Sequence, residues 1–287
     1  MNALSVVTRR AIRAALLVGS VAGILGGAEP TRLPERGICA HRGGAATQPE
    51  NTLPAYQEAV RLGAHMVELD IAITKDGAIV LMHDATVDRT TDGKGRVIDF
   101  TLAELKRLDA GTWKDPRFAG TRVPTLVEAL AVLPRNVWIN VDFKADARFA
   151  GKSADAARKV AGILMEEKRV EQSLFAGRGD DVTAVRAAAP ALRICSMERK
   201  PDPADYVKAA LVQRAEYIQL RDCAQDPRLP QWIAQLKAAG VRINYFYTND
   251  PAEAARLFAL GVDFVLVDAV ESVMARQSGL PPVVPLW

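Results

Sequence analysis

Three histidines, His41, His65 and His83, are all the chain contains. Two of them, His41 and His83, end candidate strands, and those strands neighbour one that is rich in carboxylates. A pair of imidazoles at strand ends suits proton transfer, one ring taking a proton while the other gives one. In Val67-Glu68-Leu69-Asp70-Ile71 the apolar residues alternate with acids, so Glu68 and Asp70 share one face of a strand. The pattern recurs in Ile139-Asn140-Val141-Asp142-Phe143-Lys144, which puts Asn140, Asp142 and Lys144 together. Three carboxylates gathered in an interior repel one another unless a positive group sits among them. Two arrangements meet that need. A hard cation such as Ca²⁺ or Mg²⁺ suits oxygen ligands, and Lys144 with Arg42 could instead neutralise the acids directly.

Positioning these residues requires a scaffold whose strands end together. Nine strand-like segments are read: Ile38–His41, Met66–Ile71, Ala78–His83, Val137–Phe143, Ser173–Ala176, Leu192–Ser196, Tyr217–Leu220, Arg242–Tyr247 and Asp263–Asp268. Helical patterns separate most of them. Asn51 is expected to cap a helix with Pro54 in its first turn and Gly63 at its end. Thr101 with Glu104, and Thr125 with Glu128, read as capping boxes. Strands alternating with helices predict a parallel sheet of βα units, and here a TIM (β/α)8 barrel. Nine strands exceed eight, and the surplus is Ala78–His83. It follows Met66–Ile71 across Thr74-Lys-Asp-Gly77, too short for a parallel crossover and a hairpin signal besides. A turn centred on Lys75–Asp76 would bring His83 back beside Glu68. Residues 85–123 break the βα rhythm and read as a small insertion over the barrel mouth. Gln277 to Trp287, with three prolines, reads as an extended tail.

The chain has 287 residues, 49% of them hydrophobic and 25% charged, an ordinary globular composition in which one barrel domain of about 250 residues fits. Residues 1–28 read as a secretory signal, followed by the barrel domain at 29–287. Arg9, Arg10 and Arg13 precede an uncharged run from Ala14 to Ala28, with Gly26 and Ala28 at the expected cleavage site. That run is too short to span a bilayer, which takes about 20 residues. Thr8-Arg9-Arg10-Ala11-Ile12 also resembles a twin-arginine export signal. The three arginines account for the whole formal charge of +3, so the processed chain is neutral and carries no nucleic-acid footprint. A secreted or periplasmic location is expected, with no membrane span after cleavage. Cys39, Cys195 and Cys223 are too few for a disulfide framework and are expected to be buried thiols.

Taken in order, His41-Arg-Gly-Gly44, Pro49-Glu-Asn-Thr52, Glu68-Leu-Asp70, Thr74-Lys-Asp-Gly77, His83-Asp84 and Asp88-Arg-Thr-Thr-Asp-Gly93 resemble the glycerophosphodiester phosphodiesterase family. The likeness runs on through Phe100-Thr-Leu-Ala-Glu-Leu to Val123-Pro-Thr-Leu126 and resumes at Gly261-Val-Asp263 and Val267-Asp268. The resemblance implies that His41 and His83 are the general acid and base and that Arg42 contacts the phosphate. It implies Glu68 and Asp70 as metal ligands, Glu50 as a residue lining the metal site, and Lys144 as a further substrate contact. Asp142 stands where the family usually has a glutamate as third ligand. The late aromatic-Thr-Val-Asn motif is altered here to Phe246-Tyr-Thr-Asn249. The implied reaction is metal-dependent hydrolysis of a small glycerophosphodiester to sn-glycerol 3-phosphate and an alcohol, with attack by the glycerol 2-hydroxyl as a first step.

Two other readings keep the same residues. A lysophospholipase D or sphingomyelinase D-like phosphodiesterase would want an apolar mouth. Trp113 fits that, whereas Lys106, Arg107, Lys114 and Arg117 do not. An exported protein that binds glycerophosphodiesters without turnover would have no need of a paired proton donor and acceptor. His65 has no role in the pattern and reads as a partly exposed residue at a strand start.

Overall fold

The computed structural model describes residues 32–144, 149, 151–277 and 279–287; the expected signal at 1–28 lies outside them. All nine expected strands form. They are β1 (Gly37–Ala40), β2 (Met66–Ile73), β3 (Ile79–Leu81), β4 (Trp138–Asp142), β5 (Ser173–Gly177), β6 (Arg193–Ser196), β7 (Tyr217–Arg221), β8 (Arg242–Phe246) and β9 (Phe264–Val267). Eight of them make a closed parallel ring, because β1 pairs with β9 on one side and with β2 on the other. The helices follow the strands: α1 (Leu53–Arg61), α2 (Leu102–Leu105), α3 (Leu126–Ala131), α4 (Ser153–Glu166), α5 (Gly179–Ala188), α6 (Pro203–Gln213), α7 (Leu229–Ala238), α8 (Pro251–Leu260) and α9 (Val270–Met274). The architecture is a TIM barrel with an extra strand outside the ring.

Strand parity decides what faces the helices and what faces the axis. Val67, Leu69 and Ile71 of β2 and Ile139 and Val141 of β4 join the outer core with Tyr56, Ala59 and Leu130 of the helices. Their neighbours of opposite parity, Cys39, Met66, Trp138, Leu174, Cys195, Tyr217 and Phe264, pack inside the barrel. Above that inner layer the same parity brings Glu68 level with Asn140 and Asp70 level with Asp142. Leu69 is completely buried, so Leu69→Ala should cost roughly 2–5 kcal/mol of stability. Chemical denaturation checks this, and a loss under 1 kcal/mol would mean that the outer layer is loosely packed.

The surplus strand is β3, antiparallel to β2 as expected, but its register is one residue away from expectation. Ile73 faces Ile79 and Ile71 faces Leu81, so the turn centres on Asp76. Gly77 takes φ +80°, and the side chain of Thr74 closes the turn by accepting from Ala78 N at 2.8 Å. The extra turn residue sets Met82 against Asp70, with Met82 N donating to Asp70 O at 3.1 Å, so His83 does not fall beside Glu68 as expected. His83 therefore lies past the end of the ladder. Residues 85–123 pack on this hairpin through a small core of their own that includes Val80, Val87, Val97, Leu105 and Val123. Both expected capping boxes are present, at Thr101 and Thr125.

Two further expectations are corrected. His65 is buried, not partly exposed. Its Nδ1 accepts from Ile38 N at 3.1 Å and its Nε2 meets Pro281 O at 3.0 Å, so it ties β1 to the C-terminal tail. Burial lowers its pKa, consistent with a neutral structural ring. Asn51 does not cap α1: the N-cap is Thr52, without a side-chain bond, and Asn51 turns toward the site. The three cysteines are buried and free.

Candidate active site

The first histidine is held from the opposite end of the chain. Closing the ring sets β9 beside β1, and Asp268, just past β9, bonds His41 Nδ1 at 2.8 Å. Asp268 is itself fixed, since Asn249 Oδ1 accepts from Asp268 N at 2.9 Å and from Ala269 N at 3.0 Å. Phe246 packs edge-on against the His41 ring at 5.3 Å and Tyr247 lies tilted at 5.8 Å. The altered Phe246-to-Asn249 motif thus seats the histidine and its carboxylate. Burial on its own would lower the His41 pKa, but the Asp268 hydrogen bond and the charge of Glu68 outweigh it and the net shift is upward. Replacing Asp268 by Asn removes the carboxylate charge, so the pKa of His41 should fall. Whichever limb of the kcat/KM profile His41 sets should then move to lower pH. A profile whose limbs stay put or move up would separate Asp268 from the titration of His41.

The second histidine is oriented differently. His83 Nδ1 meets Asp84 Oδ1 at 2.7 Å. Arg89, from the insertion, grips Asp84 Oδ2 through Nε at 2.7 Å and Glu50 through Nη1 and Nη2 at 2.9 and 2.8 Å. Its hydrogen bonds pull Asp84 down to about 2. Glu50 in turn accepts from Arg42 Nη1 at 2.8 Å. One chain of polar contacts therefore runs from His83 through Asp84, Arg89 and Glu50 to Arg42. A planar two-sided fork is what lets one residue hold both carboxylates. Arg89→Lys keeps the charge and loses the fork, and it should lower kcat by roughly tenfold; steady-state kinetics check this, and an unchanged kcat would make Arg89 a surface residue only.

The acids stand near both histidines, Glu68 near His41 and Asp70 near His83. Glu68, Asp70 and Asp142 are buried and each offers an oxygen within 4.8 Å of the others. Arg42, at φ 55°, turns its backbone N–H onto Glu68 Oε2 at 2.8 Å. Next to it Gly43, at φ +82°, lies so close to α1 that a Cβ would sit 2.6 Å from the carbonyl carbon of Ala55, which explains the glycine there. Asp70 takes bonds from Asn51 Nδ2 at 2.8 Å and from Lys144 Nζ. Lys144 also reaches Asp142 Oδ2 at 2.8 Å. Burial, and then the charge of Asp70, push Glu68 well above the carboxylate range. Burial alone would raise Asp70 too, but Lys144, His83 and Arg42 hold it ionised. Asp142 Oδ1 is buried without a hydrogen-bond partner. An orphaned oxygen, a carboxylate pressed toward neutrality and a lysine already shared suit an all-oxygen site for a divalent cation.

Most of the expected residues converge here. His41, Arg42, Glu68, Asp70, Asp142, Lys144 and His83 gather at the C-terminal end of the strands, the end where barrel chemistry sits. Glu50 is beside them, held by the guanidinium groups of Arg42 and Arg89 and outside the carboxylate trio. Sequence reasoning did not assign Asp268, Asp84, Arg89 or Asn51 to the site. An acid directly after β9 was a usable signal for Asp268, because a closed ring makes the last strand neighbour the first.

The comparisons agree with this geometry. Residues 41–272 match the glycerophosphoryl diester phosphodiesterase family. The chain is 31% identical over 251 residues to a glycerophosphodiester phosphodiesterase of Caldanaerobacter subterraneus, covering 84% of this chain and 98% of the relative. An Oleispira antarctica phosphodiesterase solved in complex with the product sn-glycerol-3-phosphate superposes with a TM-score of 0.76 at 28% identity, covering 85% of this chain and 96% of that one. A glycerophosphodiester phosphodiesterase from Agrobacterium tumefaciens gives a TM-score of 0.71 at 27% identity over 84% of this chain and 99% of its own. With its histidine, acid and lysine constellation on a matching barrel, this chain belongs to the glycerophosphoryl diester phosphodiesterase family.

Proposed function

We propose that the protein hydrolyses glycerophosphodiesters to sn-glycerol 3-phosphate and an alcohol, with His41 and His83 as the proton-transfer pair. One observation carries the reading. Two imidazoles, each engaged at Nδ1 by its own carboxylate, accompany a buried acidic trio, His41 acting on Glu68 and His83 on Asp70. Engagement of Nδ1 makes Nε2 the working nitrogen of both rings, and on His41 that nitrogen accepts from Arg42 Nε at 3.2 Å, which ties it to the phosphate-side arginine. One ring takes the proton of the glycerol 2-hydroxyl as it attacks phosphorus while the other supplies a proton to the departing alkoxide, and water then opens the resulting cyclic phosphate to give sn-glycerol 3-phosphate. Arg42 and Lys144, kept cationic by their acid neighbours, attract the phosphoryl oxygens. Glu68, Asp70 and Asp142 would hold a divalent cation, Ca²⁺ or Mg²⁺, which supplies Lewis-acid stabilisation of phosphoryl charge when bound. The test is purified protein with a panel of glycerophosphodiesters and detection of both products. Formation of sn-glycerol 3-phosphate supports the reading; release of glycerol with a phosphomonoester of the alcohol would refute it.

Export is proposed from the sequence alone, on the arginines and uncharged run before Glu29. N-terminal sequencing of protein recovered from the cell envelope or medium should begin at Glu29. Recovery of only the uncleaved chain in the cytoplasm would oppose it.

A further inference from the structure

At the N-terminal end of the strands, opposite the catalytic mouth, residues 279–287 are strapped to the barrel by their backbone. Val283 N donates to Gly63 O at 3.0 Å, and Arg135 N donates to Leu286 O at 2.6 Å. Asn136 bonds in both directions, its Nδ2 donating to Val284 O at 2.7 Å and its Oδ1 accepting from Leu286 N at 2.9 Å. Apolar packing adds less, because Leu280 and Val283 are only partly buried against the core and Val284 and Trp287 are each 76% exposed. A few polar contacts therefore hold the tail, and one of them can be titrated. His65, buried between β1 and the tail, accepts from Ile38 N at Nδ1 and donates from Nε2 to Pro281 O. We propose that His65 is an acid-sensitive clasp, which keeps the C-terminal tail on the barrel while its ring is neutral and releases it on protonation.

The two hydrogen bonds fix the state of the ring. A backbone N–H can only donate and a carbonyl can only accept, so Nδ1 carries a lone pair and Nε2 the proton. A second proton has to go on Nδ1, where it would point at the N–H of Ile38. The ring has little room to turn aside, since a Cβ on Gly37 would stand 2.1 Å from His65 Cγ. Burial also opposes the charged form and lowers the pKa. The charged groups around the ring are occupied elsewhere. On the linker before β1, Arg32 pairs with Glu35 at 2.5 Å and Arg36 stacks on Phe258 at 5.1 Å. Arg61 of α1 pairs with Glu58, and Arg135 donates to the carbonyls of Glu167 and Lys168. Asp263, whose carbonyl receives Gly37 N, gives its carboxylate to Lys237. The tail has no ionisable side chain from 279 to 287. Above the ordinary histidine value of about 6.5 the ring is neutral whether the clasp is closed or open, and acidity has no effect. Below it the open form binds the proton first, so closure weakens by up to about tenfold per pH unit.

The test is amide hydrogen exchange of the purified protein, corrected for the intrinsic rate, at about pH 7.5 and about pH 5.5, one unit either side of the histidine value. Wild type is compared with H65Q, whose side chain can accept and donate in the same two directions but does not titrate. In wild type the protection of the Ile38, Val283 and Leu286 amides should fall about tenfold at the lower pH, while the amides of β7 keep theirs. In H65Q the fall should disappear. Equal protection at both pH values in wild type overturns the clasp, and so does a fall that persists in H65Q. A fall shared equally by β7 reports loosening of the whole barrel and overturns it too. Should H65Q not fold, the wild-type profile decides alone: the loss should set in near pH 6.5, and a loss that sets in only near about pH 4 belongs to a carboxylate and overturns the proposal.

Discussion

Replacing His41 or His83 by Ala should lower kcat by about 10²–10⁴-fold, the range for a lost general acid or base. That corresponds to about 3–5 kcal/mol of barrier. The two losses should differ in kind. Asp268 holds His41 and Asp84 holds His83, each through Nδ1, and under the proposed mechanism the two rings would serve different oxygens of the same phosphorus. A substrate with an aryl leaving group departs without a proton. It should therefore restore much of the activity of the variant lacking the acid and little of the variant lacking the base. Steady-state rates on alkyl and aryl diesters, with thermal unfolding as a folding control, make the comparison. If both variants respond equally to the leaving group, the division of labour between the rings is wrong. If either retains wild-type kcat on an alkyl diester, that ring takes no part in proton transfer.

Chelation should abolish turnover, and Ca²⁺ or Mg²⁺ should restore it. The physical reason is the charge confined between β2 and β4. Glu68, Asp70 and Asp142 present oxygens within 4.8 Å, and Lys144 supplies only one positive charge to two of them. Full activity after exhaustive chelation would mean that Lys144 and Arg42 suffice to neutralise the acids. Asp142 sharpens the expectation, because the resemblance implies the longer glutamate at this point of the strand. Ca²⁺ accepts oxygens at about 2.3–2.6 Å with irregular ligand numbers, while Mg²⁺ wants about 2.0–2.1 Å and near-octahedral order. The shorter side chain should disfavour the stricter ion. Asp142→Glu is accordingly expected to lower the ratio of Ca²⁺-supported to Mg²⁺-supported kcat/KM. An unchanged or higher ratio would remove Asp142 from the choice of ion.

The sequence by itself determined the acid faces of this site. Alternation has a period of two residues, so an apolar set committed to the helices forces Glu68, Asp70, Asn140 and Asp142 to the axis wherever the strands end up. It also determined that β3 lies outside the ring, because Thr74 to Gly77 cannot carry a parallel crossover. The tertiary structure decided matters in which distant segments compete. Asn51 had the local signature of a helix cap, yet the buried carboxylate of Asp70 claims its side chain at 2.8 Å. His65 had the look of a strand-start surface residue until the tail crossed it and Pro281 O took its ring. The register of β3 depended on whether Gly77 joined the turn, which a dipeptide signal leaves open. His41 and Asp268 are 227 residues apart, and only closure of the barrel makes their strands neighbours. Arg89 entered the site because the insertion folds back over the hairpin. Local periodicity fixes which way a side chain points; what it meets depends on which strands lie side by side, and that is settled by burial of the whole ring.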